Sequence, residues 1–290
     1  MDIKYRSRYF DDAEAKASFR AYARAVFDLD FSRWEDRGLW DAQYQAFSAF
    51  AGGECVASMC VYPCEAMVKG KRQKWAQLLT VGTLPDYRGR GIQRKLWKMA
   101  RTWISKHCMF TFLFAEDEAA GFYDSLGFDR VRERFDVVAN PGALPATGAH
   151  FRKVDVENDA EFAILKRLAR ERAPVSGVLS FKCPNLLLFM FLYPYREMTY
   201  YSEDLDAVVV VEKAAGRLRI HDIIAKKMPG FDNIKAFLGG FPEREIALLF
   251  PSDKLGVEPV RRGNVEDSIL FVSGEMPLKG DIIFPYSIRA

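Results

Sequence analysis

The sequence predicts an α/β fold with mixed α+β sheets, arranged as two modules. Its 290 residues exceed the usual size of one hydrophobic core and suit two domains. Short β-type segments alternate with helical segments on both sides of Asn140–Gly148, a stretch rich in Gly, Pro and Ala. We therefore expect a linker there, a first domain over residues 1–139 and a second over residues 149–290.

The first module begins with a β-type segment, Ile3–Tyr9, and a helical segment, Ala13–Phe27, that Asp11 or Asp12 could cap. Hydrophobic periodicity and turn residues then predict a hairpin, a long strand, an amphipathic helix, a buried strand, a short helix and a last strand. These lie at Ala46–Phe50 with Glu54–Tyr62, Lys74–Thr83, Gly91–Lys106, Met109–Ala115, Glu118–Leu126 and Phe128–Val138.

The second module shows the same mixture of helical and strand patterns. A helix, a hairpin, a second helix and a strand are predicted in that order. They lie at Asp159–Arg172, Ala207–Lys213 with Arg217–Ala225, Phe231–Leu238 and Glu245–Phe250.

Composition argues against several classes of protein. With 49% hydrophobic and 14% aromatic residues, the chain can fill sizeable cores and is not disordered. The net charge of +3 is too small for a general nucleic-acid binder, so we expect no nucleic-acid partner. The first residues lack a signal-peptide core, and the apolar run Leu186–Tyr193 is too short to cross a membrane. Five cysteines and three histidines form no metal-binding pattern, so we expect no metal and a reducing, cytoplasmic setting.

The most informative segment runs from Leu78 to Arg94. A strand ends at Pro85, a basic glycine turn follows at Arg88–Gly91, and a helix begins. The unpaired N–H groups and the dipole of a helix N-terminus attract anions, and glycines let a phosphate approach the backbone. The segment is neither a P-loop nor a dinucleotide fingerprint, so it predicts a different polyphosphate ligand.

This segment resembles motif A of the GCN5-related N-acetyltransferases, the GNAT superfamily, whose loop reads [QR]-x-x-G-x-[GA]. Arg88, Gly91 and Gln93 hold the three defined positions, and Gln93 departs from the usual Gly or Ala. Ala119–Phe128 resembles motif B, A-x-x-F-Y-x-x-x-G-F, and follows at the expected interval. Two motifs in the right order are stronger evidence than either alone, and they cover about the first half of the chain.

The resemblance implies an N-acetyltransferase that moves an acetyl or longer acyl group from acetyl-CoA to a primary amine. The pyrophosphate of coenzyme A would lie on the turn, and the pantetheine arm would lie beside the edge of the preceding strand. The cofactor-binding residues implied in this way are Val81, Gly82, Thr83, Arg88, Gly89, Arg90, Gly91, Ile92, Gln93 and Phe122.

The resemblance also implies catalytic residues. Tyr123 matches the motif B tyrosine and would act as general acid toward the CoA thiolate. Glu116 is the candidate general base, with Asp117 and Glu54 as alternatives. The acceptor is a small-molecule or peptide amine, and Phe31, Trp34 and Trp40 either border its pocket or belong to the core. A mechanism through an acylated Cys108 or Cys183 is a weaker alternative.

Two other functional classes stay open on the sequence. The chain could be a non-catalytic acyl-CoA sensor, because Gln93 is unusual and no base is obvious. Residues 88–106 are basic without an acidic residue, so a protein that binds RNA or DNA through this helix is a third interpretation.

The second module lacks the glycine turn of the first. The residues after strand Arg217–Ala225 are Lys226–Gly230, which do not match motif A. We interpret this module as a degenerate GNAT-like repeat without a cofactor site, an arrangement known among relatives of the mycobacterial enhanced intracellular survival acetyltransferases. It would complete the acceptor pocket or form the contact of a homodimer, and one cofactor per chain is expected.

Overall fold

The computed structural model describes residues 2–9, 11–144, 149–214 and 216–289. Part of the expected linker, residues 145–148, and Ala215 of the second hairpin turn lie outside these ranges. By packing, the chain divides into two compact units, and the division at 139 and 149 stays a prediction about domains. Unit 1 comprises Met1–Cys64, Gln73–Arg130 and Leu270–Glu275, and unit 2 comprises Glu65–Arg72, Val131–Ile269 and Met276–Ala290.

Helices and strands alternate along both units, as the α/β prediction requires. The helices are α1 Ala13–Phe27, α2 Ser32–Asp36, α3 Ile92–His107, α4 Asp117–Ser125, α5 Asp159–Glu171, α6 Pro184–Leu192 and α7 Phe231–Gly239. The strands are β1 Ile3–Ser7, β2 Gln45–Ala51, β3 Glu54–Val68, β4 Lys71–Thr83, β5 Phe110–Ala115, β6 Asp129–Val131, β7 Arg134–Ala139, β8 Arg152–Lys153, β9 Leu179–Lys182, β10 Thr199–Ser202, β11 Ala207–Ala214, β12 Arg217–Ala225, β13 Glu245–Leu248, β14 Arg261–Asn264 and β15 Ile269–Ser273. Short 3₁₀ turns span Pro85–Tyr87 and Tyr286–Ile288.

The first helix shows how closely the local signals specify an element. The side chain of Asp12 caps α1 and accepts a hydrogen bond from the Ala15 N–H at 3.0 Å. Phe19 and Ala23 are completely buried, so the face of α1 that carries them packs against the core. The prediction of a helix over Ala13–Phe27 is confirmed to the residue.

The first sheet has the strand order β1-β2-β3-β4-β5-β15-β6, and β9 also pairs with β3. β1, β2 and β3 pair antiparallel, whereas β4 and β5 pair parallel, as expected when a helix connects them. The sheet is therefore mixed, which confirms the predicted fold class.

The parallel pair β4–β5 separates towards its carboxyl ends. Its pairing runs from Trp75 and Phe110 to Gln77 and Phe112, although β4 continues to Thr83. Thr80 has a φ of 48°, which breaks the regular strand conformation within this unpaired part. The last residues of β4 therefore present backbone groups that β5 does not use.

The second sheet has the order β14-β7-β13-β12-β11-β10-β8. β12 and β13 pair parallel and are connected through α7, as β4 and β5 are through α3. In each sheet a strand from a distant part of the chain lies second from the end: β15 between β5 and β6, and β7 between β13 and β14.

This strand order corrects one sequence prediction. The single strand expected over Phe128–Val138 is two strands, of which β6 joins the first sheet and β7 joins the second. Arg132 and Glu133 lie between the two strands, so the segment that reads as one strand contains a change from the first sheet to the second. The last strand of the predicted first module is therefore in the second sheet.

The aromatic residues between α1 and β2 belong to the core. Phe31, Trp34 and Trp40 are 2%, 0% and 7% exposed. Phe31 stacks on Trp40 with ring centroids 4.7 Å apart, and Tyr44 meets both edge-on. Of the two interpretations of these rings, the structure supports core packing.

Candidate functional site

A cleft of about 680 Å³ in unit 1 collects most of the predicted site residues. The end of β4, the glycine turn, the start of α3 and one side of α4 line it. It contains every predicted cofactor-binding residue together with Tyr123, and its lining is Val81, Gly82, Thr83, Tyr87, Arg88, Gly89, Arg90, Gly91, Ile92, Gln93, Arg94, Glu118, Ala119, Phe122, Tyr123 and Ser125.

The glycine turn forms an open anion-binding surface. Gly89 and Gly91 have φ values of +73° and +70°, which side-chain-bearing residues adopt at a cost. A Cβ at either position would meet no atom within 4 Å, so conformation rather than crowding explains these glycines. Gly91 is the N-cap of α3, and no side chain caps the helix in the described structure. Its first-turn N–H groups are therefore available to an anion.

The arginines of the turn stabilise its shape. The Arg88 Nε donates to the Thr83 carbonyl at 3.1 Å, and the Arg90 Nη2 donates to the Asp86 carbonyl at 2.9 Å. The Arg90 guanidinium also lies 5.2 Å from the ring centre of Tyr87. These contacts tie the turn to the end of β4 and keep two cations beside the cleft.

Gln93, the departure from motif A, has a structural role. Its Nε2 donates to the Ser58 carbonyl and to the Thr83 Oγ1, each at 3.1 Å, and also to the Gly82 carbonyl. One amide thus joins the first turn of α3 to β3 and β4 where β4 is irregular. These bonds direct the Gln93 side chain towards the sheet.

Gly82 is glycine because α1 packs against it. A Cβ there would lie 2.7–2.9 Å from atoms of Phe27, Val26 and Tyr22. A glycine inside a strand usually marks either the close approach of a neighbouring group or a bulge. The left-handed backbone lies at Thr80, and the close approach comes from α1. The strand edge at Gly82 still lines the cleft.

Tyr123 lies on α4 at the far side of the cleft from the turn. Its ring is 6% exposed and packs on Phe122, Phe128 and Phe271, with centroids 5.0, 6.0 and 5.3 Å away. Burial raises the pKa of the phenol well above its usual value. The hydroxyl therefore stays protonated at neutral pH and can act as a proton donor.

This geometry agrees with what the family comparison finds. Residues 6–131 match the model of the acetyltransferase (GNAT) domain. Residues 6–131 are a GNAT domain. Solved structures extend the likeness in fold to nearly the whole chain.

A probable N-acyltransferase from Enterococcus faecalis is 14% identical with a TM-score of 0.62, covering 93% of this chain and 72% of that one. Eis1 from Mycobacterium abscessus is 18% identical with a TM-score of 0.58, covering 93% and 73%. A putative acetyltransferase from Pyrococcus horikoshii is 15% identical with a TM-score of 0.50, covering 99% and 94%. At these identities the likeness concerns the fold. The comparison with curated proteins finds no match.

The carboxylates near the GNAT cleft are not where the sequence placed them. Glu116, Asp117 and Glu54 are exposed and do not line the cleft, whereas Glu118 does. Glu116 is the N-cap of α4, and its side chain makes no capping bond. Glu118, Tyr87 and Arg94 were missed as lining residues, although their positions beside the two motifs could have indicated them.

The corresponding place in unit 2 is occupied by protein. Beyond its pairing with β13, β12 carries Asp222, whose carboxylate receives bonds from Arg172 at 2.7 and 2.8 Å and from Ser287. The Tyr286 N–H donates to the Leu249 carbonyl, directly after β13, at 3.0 Å. The Tyr286–Ile288 turn thus fills the gap between these strands.

Two further observations bear on the alternatives. Burial raises the pKa of the Cys108 thiol to about 11, which disfavours an acyl-cysteine mechanism there. Within the described ranges, no helix is long and apolar enough to cross a membrane, and no three His, Cys, Asp or Glu side chains are grouped as metal ligands.

Proposed function

We propose that this protein is an N-acetyltransferase that transfers an acetyl group from acetyl-CoA to a primary amine in the cleft of unit 1. The observation that carries the proposal is the convergence of three features on one cleft. These are an uncapped helix N-terminus after two glycines, an unpaired strand edge, and a buried phenol. The first suits a pyrophosphate, the second a peptide-like pantetheine arm, and the third a leaving thiolate.

Different residues would bind the cofactor and donate the proton. The turn from Gly89 to Gln93 would hold the pyrophosphate, while Val81–Thr83 would align the arm along β4. The amine nitrogen then attacks the thioester carbonyl carbon, the C–N bond forms and the C–S bond breaks. Tyr123 would give its proton to the departing sulfur, and the proton lost from the amine would leave through solvent. Positioned proton donors contribute about 10²–10⁴ in rate.

The proposal also covers the general base, the acceptor and the assembly. Glu118 is the carboxylate that lines the cleft, and it replaces Glu116 as our candidate for receiving the amine proton through water. The acceptor is a small-molecule or peptide amine. Unit 2, as a GNAT-like repeat without a cofactor, would serve acceptor binding or a homodimer, in a cytoplasmic setting.

The test compares a Tyr123→Phe variant with the wild type for thiol release from acetyl-CoA over a panel of amines. We expect kcat to fall about 10²–10⁴-fold, with acetyl-CoA affinity nearly unchanged. In the wild type, the rate should not fall on the alkaline side as the pH passes the ordinary phenol pKa of about 10, because burial raises the pKa of Tyr123 and keeps the donor protonated. The matched control is Tyr200→Phe, which changes a half-buried phenol of the second sheet.

The outcomes separate the enzyme from the sensor. Acetyl-CoA binding without turnover on any amine, unchanged in Tyr123→Phe, would favour a non-catalytic acyl-CoA sensor. Failure of acetyl-CoA to bind at all would reject both.

A further inference from the structure

We propose that the exposed side of α3 docks an acidic carrier protein that presents the acyl group on a 4′-phosphopantetheine arm. This inference rests on the proposed function, because it concerns a donor delivered to the same cleft. The docking surface is formed by Lys95, Lys98, Arg101 and Lys106, here called the basic face, and all four side chains are exposed.

The basic face belongs to a segment that holds the whole positive excess of the chain. Residues 88–106 contain seven Lys or Arg residues and no Asp or Glu. Since the chain has 42 basic and 39 acidic residues, the remainder has 35 basic and 39 acidic residues. Within the described part of the chain, no acidic side chain lies within ion-pair distance of these four cations, although Lys95 lies 3.8 Å from the Tyr5 ring centre. Such concentrated, unneutralised charge favours an acidic partner.

The cofactor alone does not account for this surface. An α-helix rises 1.5 Å per residue, so Lys98 and Lys106 lie about 10 and 22 Å along the axis from Gly91. Charges separated by more than about 8–10 Å in solvent are largely screened at physiological salt. A pyrophosphate on the turn would therefore gain little from Lys98, Arg101 or Lys106.

The position of the face relative to the cleft indicates what the partner carries. The arm would run along the end of β4, and its phosphate would lie at the N-terminus of α3. Whatever is attached beyond that phosphate, adenosine 3′,5′-bisphosphate in coenzyme A or a serine in a carrier protein, emerges next to α3. An acidic carrier would then meet the basic face while its arm occupies the cleft.

A nucleic acid suits the face less well. Single-stranded nucleic acids are bound by aromatic rings on which bases stack. On α3, Trp97 is buried, and Trp103 is stacked on His107 with centroids 4.3 Å apart. The exposed side of α3 therefore offers mainly charge rather than aromatic rings for bases.

The experiment measures binding by fluorescence anisotropy at low ionic strength. The probes are an acetylated holo-carrier protein, its apo form without the arm, acetyl-CoA and a short single-stranded RNA. The variant K98E/R101E/K106E should weaken holo-carrier binding at least about tenfold, because it reverses the docking charges. Acetyl-CoA affinity should change less than about twofold, since these residues lie beyond the screening distance from the turn.

The matched control is K226E/K227E/K235E, which reverses three cations after β12, at the corresponding place in unit 2. It should leave both affinities unchanged. Equal binding of holo and apo carrier, or holo-carrier binding that the first variant does not weaken, would overturn the proposal. Tighter binding of the RNA, lost in that variant, would also overturn it. Acetyl-CoA binding without carrier binding rejects only this inference, whereas loss of acetyl-CoA binding rejects the proposed function.

Discussion

The two units share a strand arrangement but differ in what lies between the separating strands. In unit 1, β4 extends past Gln77, where its pairing with β5 ends. A cleft of about 680 Å³ lies beside the end of β4. In unit 2, β12 extends past Ile220, where its pairing with β13 ends. The Tyr286–Ile288 turn occupies the gap between these two strands. The same topology therefore supports an open site in one unit and a filled core in the other.

The loop after β4 and the loop after β12 also differ in the conformation of the glycine that caps the next helix. Gly91 caps α3 with a φ of +70°, whereas Gly230 caps α7 with a φ of −77°. The first conformation exposes helix N–H groups to a ligand, while the loop Lys226–Gly230 has no glycine with positive φ. The sheet order alone therefore does not provide an open cleft with an anion-binding turn.

The largest expected effect concerns β15, which lies in the first sheet but comes from a distant part of the chain. A fragment of residues 1–139 lacks β15, whose Leu270, Phe271 and Val272 are buried between β5 and β6. Burying such a side chain contributes about 1.5–3 kcal/mol, so losing all three removes about 5–9 kcal/mol, comparable to the stability of a domain. We expect the fragment to show no cooperative thermal transition by circular dichroism.

A fragment of residues 1–139 that melts cooperatively near the transition of the full chain would show that β15 is dispensable. The assignment of β15 to the core of unit 1 would then be wrong. The full chain measured under the same conditions is the control.

The second effect concerns the filled gap of unit 2. Asp222→Asn leaves the buried Arg172 without its charge partner, and Arg172 is 8% exposed. Breaking a buried pair in this way costs about 3–5 kcal/mol. We expect chemical denaturation to show this loss, while acetyl-CoA affinity per folded molecule stays constant.

The control is Asp232→Asn, at an exposed pair with Lys235, which should change the stability by less than about 1 kcal/mol. Weakened acetyl-CoA binding in folded Asp222→Asn would place a ligand role in unit 2.

The third effect concerns the turn of unit 1. Gly91→Ala must hold a side-chain-bearing residue at a φ of +70°, which costs about 1–2 kcal/mol. We expect acetyl-CoA to bind about tenfold more weakly, as measured by calorimetry. The matched variant Gly230→Ala, at the corresponding cap of α7 with a φ of −77°, should leave binding unchanged. Equal loss in the two variants would remove the distinction between the caps.

The smallest effect concerns Gln93. Gln93→Ala removes the amide that joins α3 to the Ser58 and Gly82 carbonyls. Each lost hydrogen bond is worth about 0.5–1.5 kcal/mol, and the turn would hold its shape less firmly. We expect the KM for acetyl-CoA to rise about fivefold with kcat nearly unchanged, in steady-state kinetics of thiol release. A fall in kcat at constant KM would instead indicate that Gln93 acts in chemistry.

The local elements could be predicted from the sequence because each carries its own signals. The cap at Asp12, the periodicity of α3 and the glycines at 89 and 91 are contained in short stretches of chain. The cleft of unit 1 could be located from these signals, because the residues of motif A and motif B line it.

The long-range features could not be predicted in this way. Nothing local shows that Ile269–Ser273 pairs with β5, or that Arg134–Ala139 leaves the first sheet. The packing of α1 on Gly82 and the bonds of Gln93 to β3 also join residues far apart in sequence. A pattern records which residues are buried but does not record which residues they contact.

The difference between the two units is tested most directly by the number of acetyl-CoA molecules that bind to one full chain, measured by isothermal titration calorimetry. The open cleft in unit 1 and the filled gap in unit 2 predict one molecule per chain, with affinity reduced by Gly91→Ala and unaffected by Gly230→Ala. Two molecules per chain, or one molecule whose binding responds to Gly230→Ala and ignores Gly91→Ala, would contradict the account.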